Sequence, residues 1–321
     1  VAKKAGVGVG TVSRVINDSG YVSEKTRKIV EEVIEELNYK PNELARNLFR
    51  NRTNIVAVIT PAIGNPYYAT LYSEVEKRLR KYGYKTMLCN TIGEATNEEA
   101  YLEMLERNMV DGIITGTHTL DYSSYKKIKG PIVGFDTPKL NDDILIVTVD
   151  HEKGGILAAK ALIESGCKEV LQFTDATTKN YPFIKRHKAF AKEIKKAGLI
   201  CREFKPKMDN FEEKFIQENI EEAFSMYPNV DGVFATDTHA LLYMKKALSM
   251  GKRVPKDLKV VAYDGTFILN TAYPSPSAIV QPIDKLAKVA VDSLHAIING
   301  EKVDRKTKVL DIEFRQGMTT N

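Results

Sequence analysis

A chain of 321 residues, 43% hydrophobic and 28% charged, has room for two domains or for one large α/β body with an appendage. No apolar run approaches the ~18 residues of a membrane span, so no membrane partner is expected. Cys89, Cys167 and Cys201 have neither zinc-ligand spacing nor the even count of a disulfide framework, so buried thiols in a reducing cytoplasm are expected, with no metal and no cofactor.

The net charge of +5 is unevenly placed: residues 1–52 hold ten Lys and Arg against seven Asp and Glu. The start, Val1-Ala2-Lys3-Lys4, has neither a Met nor the hydrophobic core of a leader. Its first helix reads as if entered midway, so further N-terminal residues are expected. Gly6, Gly8 and Gly10 imitate a phosphate loop, but Gly-x-Gly-x-x-Gly fails, because its third slot holds Thr11 or Ser13 and no strand precedes it.

Residues 1–40 read as three helices. They are Val1–Ala5, a second from near Val9 to Ile16 stopped by Asn17-Asp18-Ser19-Gly20, and a third capped by Ser23. In the third, Ile29, Val30, Val33, Ile34 and Leu37 form one apolar stripe. Two helices joined by a tight turn, the second carrying TVSRVIN, form a helix-turn-helix pattern. Val12, Val15 and Ile16 face inward, which leaves Thr11, Ser13, Arg14 and Asn17, residue types that contact phosphates and base edges. A small helical dimerisation cap is the alternative for this block. Residues 41–52, PNELARNLFRNR, form too short a helix to persist alone and are expected to fold only when held.

From Asn54, short apolar strands alternate with amphipathic helices. IVAVIT, KTMLCN, GIITG, PIVGF and ILIVTV form one series of strands; EVLQF, GVFAT, KVVAYD and SAIVQ form a second. The pattern predicts parallel sheets covered on both faces. A break near Asp150–Gly155 divides two α/β subdomains. Ligands in such folds sit beyond the carboxyl ends of the strands. The residues there include Asn65, Tyr67, His118, Asp136, Asp237, Asp264 and Gln281, with Arg186 opening the helix RHKAFAKEI. Carboxylates, amides and an Arg suit a polyhydroxylated ligand, and Tyr67 or Phe211 can cover an apolar sugar face. Asp237 has a plainer alternative as a helix N-cap. Tyr67 can equally be core.

AGVGVGTVSRVIN followed by YVSEKTRKIVEEVIEELNYKPNELARNL resembles the headpiece and hinge of the LacI/GalR family of bacterial transcription regulators, and the likeness extends over essentially the whole chain. The family implies a three-helix helix-turn-helix headpiece (1–40), a hinge helix (41–52) and a periplasmic-binding-protein-like core (53–321). The core would comprise two Rossmann-like subdomains, 53–150 with 284–310 and 151–281 with 311–321. It further implies a homodimer on double-stranded operator DNA and a small-molecule sugar or sugar-phosphate effector between the subdomains. The family's DNA-contacting positions fall on Val9, Gly10, Thr11, Ser13, Arg14, Asn17, Ser23, Thr26, Tyr39, Asn42, Ala45 and Leu48. Ala45 and Leu48 match residues that enter the minor groove. Arg186 and Asp264 match its most persistent effector positions. Gly8-Val9-Gly10 departs from the family, where a Ser cap and larger polar side chains are usual.

GYKTMLCN, EEAYLEMLERNMVDGIITGTH and YDGT are similar to the sucrose-operon repressors of Gram-positive bacteria, which implies sucrose, its phosphate or fructose. Lys179, Lys185 and Arg186 would suit a phosphorylated sugar. A regulator using a protein corepressor and a sugar-binding protein of a transport system are the alternatives. An enzyme is not expected, because no HExxH, GxSxG or P-loop occurs.

Overall fold

The computed structural model describes residues 1–40, 52–91, 95–116, 125, 128–139, 141–175, 181–206 and 212–320. The expected hinge therefore lies outside the described residues except for Arg52, and with it Asn42, Ala45 and Leu48. His118, Lys179 and Phe211 lie outside them as well. The chain divides into two compact units, Val1–Asn54 and Ile55–Asn321.

The first unit holds α1 (Ala2–Ala5), α2 (Val9–Asn17) and α3 (Glu24–Glu36). Local chemistry sets their ends. Gly6 takes φ 65° after α1, a left-handed cap that glycine adopts without steric cost. Asp18 closes α2 at φ 50°. The Ser23 hydroxyl accepts the Thr26 amide and so caps α3. Val12, Val15 and Val30 form the core, and Val30 is fully buried. The expected stripe on α3 is narrower than read: Ile29 and Leu37 are exposed at 38% and 46%. The two short helices packed on α3 cover Val30 and Val33 but not the flanks of the stripe.

The second unit contains β1 (Ile55–Thr60), β2 (Lys85–Asn90), β3 (Gly112–Thr115), β4 (Ile132–Phe135), β5 (Leu145–Val149) and β6 (Glu169–Phe173). It continues with β7 (Ile200–Phe204), β8 (Gly232–Thr236), β9 (Lys259–Asp264), β10 (Ser277–Val280), β11 (Lys308–Leu310) and β12 (Glu313–Arg315). Its helices are α4 (Pro66–Lys81), α5 (Ala95–Glu106), α6 (His151–Glu164), α7 (Ile184–Lys196), α8 (Glu213–Met226), α9 (Asp237–Ser249) and α10 (Ile283–Ile298).

Two six-stranded sheets result, in the orders β11-β5-β4-β3-β1-β2 and β12-β10-β9-β8-β6-β7. Every pairing is parallel except β12 against β10. The chain passes between sheets after β5, after β10 and between β11 and β12. The central strands are continuous apolar runs because both faces are covered, as the fully buried β3, β4 and β5 illustrate. Edge strands β7, β11 and β12 escaped the sequence reading, being largely exposed and in two cases three residues long.

The expected break near Asp150–Gly155 falls where the chain leaves the first sheet after β5, and α6 starts there. Gly154 and Gly155 lie inside that helix where it meets its neighbours. A Cβ at Gly155 would stand 2.1 Å from the Arg186 carbonyl oxygen, and one at Gly154 2.9 Å from the Tyr263 hydroxyl. The pair provides clearance for α7 and β9.

Candidate functional site

The first unit presents the outer face of α2. Val9 is 76% exposed, and Gly10, Ser13 and Arg14 are also exposed, while Val12 and Val15 point inward. Thr11 is half-buried. The Asn17 amide turns back on its own helix, donating to the Ser13 carbonyl at 2.9 Å and to its hydroxyl at 3.2 Å. Ser23 and Thr26 sit at the start of α3, their hydroxyls 2.9 Å apart, where helix amides and dipole favour a phosphate. Tyr39 is 43% exposed just past α3. A Cβ at Gly10 would meet nothing within 4 Å, so the bare position is not required by packing.

In the second unit, polar side chains gather at the carboxyl ends of both sheets. Asp136 follows β4 at φ 45°; its Oδ1 accepts the Thr148 hydroxyl at 2.5 Å and lies 3.0 Å from His151 Nε2. Because a carboxylate only accepts, Nε2 carries the proton, and Nδ1 accepts the Tyr263 hydroxyl at 2.7 Å. Asp136 belongs to the first sheet, Tyr263 to the second, and His151 opens the helix after their first crossover. The imidazole, 1% exposed, is therefore a tie between the two sheets.

Across the Tyr263 ring lies the guanidinium of Arg186, its Cζ 4.5 Å from the centroid. Arg186 is 7% exposed on the first turn of α7 and faces Asp175 Oδ2 at 3.6 Å. Burial opposes ionisation of Asp175, but the His187 hydrogen bond at 3.1 Å and the Arg186 charge hold its carboxyl at about 2. Asp264 ends β9 at φ 115°, a conformation rare outside glycine, and accepts the Gln281 amide at 2.8 Å. Burial pushes its carboxyl well up, and the neighbouring Asp237 charge pushes it further. The Gln281 Oε1 and the Tyr67 hydroxyl are buried with no hydrogen-bond partner among the described residues. The Tyr67 hydroxyl feels the charges of Asp136 and Asp264.

A helix with an exposed polar face and a cluster of polar side chains at the carboxyl ends of two sheets thus occur in one chain. Residues 1–42 match the family model "Bacterial regulatory proteins, lacI family", and residues 159–320 match "Periplasmic binding protein-like domain". The sucrose operon repressor of Lactococcus lactis subsp. lactis is 37% identical over 99% of this chain and 98% of its own length. The chain belongs to the lacI family of bacterial regulatory proteins. A ribose operon repressor of Halalkalibacterium halodurans is 34% identical over 95% of this chain and 91% of its own length. Among solved structures, the transcriptional regulator CelR with cellobiose superposes at TM-score 0.71 with 26% identity, covering 99% of this chain and 98% of that one.

Within this lacI-family core, Asp136, Arg186, Asp264, Gln281 and Tyr67 are brought to the cleft ends of the sheets. Asp237 differs from expectation. It is neither the N-cap, which is Thr236, nor open to a ligand. Its Oδ1 accepts the Gly265 amide at 3.1 Å, and its Oδ2 accepts the Thr266 amide and hydroxyl, both at 2.6 Å. Asp237 therefore holds the turn that carries Asp264. Burial raises it and these donors pull it back, leaving it at about 6. Sequence reasoning passed over Asp175, although it follows β6 as Asp136 follows β4. It also missed His151 and Tyr263, whose pairing joins positions far apart in the chain.

His151→Phe is expected to cost about 2–5 kcal/mol in urea unfolding, since it leaves both Asp136 and Tyr263 with an unmet hydrogen bond in a buried setting. A loss below ~1 kcal/mol would mean that the imidazole does not tie the sheets together.

Proposed function

We infer that this lacI-family chain is a sequence-specific DNA-binding repressor of a sugar-utilisation operon, controlled by a sugar held between the two sheets of its core. The observation that carries this reading is the exposed Val9, Ser13 and Arg14 face of α2 in a chain whose second unit gathers Asp136, Arg186 and Asp264 at the carboxyl ends of its two sheets. The sucrose and ribose operon repressors that it resembles support this reading, and the chain is a regulator rather than an enzyme.

The finer reading places a homodimer on a near-palindromic operator in the cytoplasm, with a sucrose-related effector. No helix among the described residues is long and apolar enough to cross a membrane. On DNA, Val9, Gly10, Thr11, Ser13, Arg14 and Asn17 face the major groove, while Ser23, Thr26, Tyr39 and Asn42 meet the backbone. Ala45 and Leu48 enter the minor groove from a hinge that folds on binding.

Fluorescence anisotropy on a site selected from a randomised pool tests the DNA-binding part. The Arg14 side chain has no salt-bridge partner among the described residues. Arg14→Ala should therefore weaken specific binding by about 10–100-fold and relax preference at one base position. Equal loss on all sequences would make Arg14 a phosphate contact. No loss at all would remove α2 from the interface.

A further inference from the structure

We propose that His187 is the residue that positions Arg186: its bare Nε2 holds the Arg186 Nε–H, and a proton on that nitrogen turns the imidazole over to Asp175. The inference rests on the sugar-controlled reading above and adds to it a residue that acts through Arg186.

His187 follows Arg186 on the first turn of α7, and both side chains are buried. Its two ring nitrogens meet different demands. Nδ1 lies 3.2 Å from Gln172 Oε1, an acceptor on β6, so Nδ1 carries a proton. Nε2 accepts from the Arg186 Nε–H at 3.2 Å and also lies 3.1 Å from Asp175 Oδ2. The guanidinium can only donate, and the carboxylate can only accept. One nitrogen therefore serves one of them at a time, and its own proton selects which.

With Nε2 bare, the Nε–H bond fixes one edge of the guanidinium, while the Tyr263 ring, 4.5 Å from Cζ, supports its face. Edge and face together set the plane of the fork before a ligand arrives. A donor already in place costs the ligand less ordering. With Nε2 protonated, an imidazolium stands against a guanidinium, and the Nε–H loses its acceptor. Among the described residues, the charges that act on His187 are Arg186 on its own helix, Asp175 beyond β6 and Glu203 on β7. His239 on α9 faces Asp175 as well. Burial, helped by the Arg186 charge, holds the imidazole below its ordinary 6.5 against the Asp175 hydrogen bond. Nε2 is therefore bare at neutral pH and takes its proton as pH falls. Asp175, held at about 2, stays ionised throughout.

Nitrogen NMR on the full chain with isotope-labelled histidine and arginine reads both partners of this bond. The chain has five histidines, and His187→Gln identifies the signal by its loss. At neutral pH Nε2 should be bare, and its protonation on acidification should coincide with a change in the Arg186 Nε–H signal. Calorimetry with sucrose, fructose and ribose over the same range gives the functional arm. Any of them that binds should lose about tenfold or more in affinity as Nε2 takes its proton. His187→Leu, checked by thermal unfolding, should lose about as much already at neutral pH. His187→Gln still offers an acceptor and should recover most of that loss, with no acid limb. Asp237, at about 6, titrates in the same window, so an acid limb that persists in His187→Gln belongs to it and overturns the inference. So does a protonated Nε2 at neutral pH, an Arg186 signal indifferent to that proton, or a folded His187→Leu that binds like the parent. If none of the three sugars binds at any pH, the sugar-controlled reading fails, and the nitrogen signals alone decide the role of His187.

Discussion

Arg186→Ala is expected to abolish the sugar response while operator affinity stays within about twofold of the parent. The guanidinium sits 4.5 Å over the Tyr263 ring and faces Asp175 at 3.6 Å, so it is the charged centre of the cleft. Removing one partner of a buried charged pair costs about 3–5 kcal/mol locally, and a sugar would lose its strongest donor as well. Sugar affinity should fall by about 100-fold or more in calorimetry. Arg186→Lys should not restore it, because an ammonium neither stacks on Tyr263 nor forks between acceptors.

Acid titration provides a second readout of the same variant. Asp175 is held at about 2 against an ordinary 3.8. The stability it contributes is therefore present above pH 3.8 and lost as pH falls towards 2. Without Arg186 that acid limb should flatten. An unchanged limb together with an unchanged sugar response would show that Arg186 is structural and that the site lies elsewhere.

Gly155→Ala should remove the sugar response without altering any side chain that faces the cleft. The added Cβ would stand 2.1 Å from the Arg186 carbonyl oxygen, closer than any real contact, so α6 and α7 must separate. Overpacking of this kind costs about 1–3 kcal/mol, and here it moves the turn that carries Arg186. Gly64→Ala is the control, since a Cβ there meets nothing within 4 Å. Thermal unfolding and calorimetry on both variants decide the matter. If Gly155→Ala is as stable and as responsive as Gly64→Ala, the contact between α6 and α7 does not position Arg186.

The sequence alone was enough for what neighbouring residues settle among themselves. The stop at Asp18 and the cap at Ser23 follow from chemistry within one turn of chain, and the buried strands follow from apolar runs that only a doubly covered sheet can hold. Asp136, Asp264 and Gln281 were legible because the topology of parallel sheets carries every strand's carboxyl end to the same side. Asp175 was legible by that same rule and was overlooked.

What only the tertiary structure decided depends on distance through space. Asp237 reads as a ligand or a cap until the turn at Gly265 and Thr266, 28 and 29 residues further on, folds back onto both its oxygens. His151 reads as one helix residue among others until Asp136 and Tyr263, 15 and 112 residues away, occupy its two nitrogens. Gly154 and Gly155 would weaken an isolated helix. Inside the folded core the same two residues are the clearance that α7 and β9 require, since packing against a distant backbone outweighs a local propensity of about 1 kcal/mol per residue.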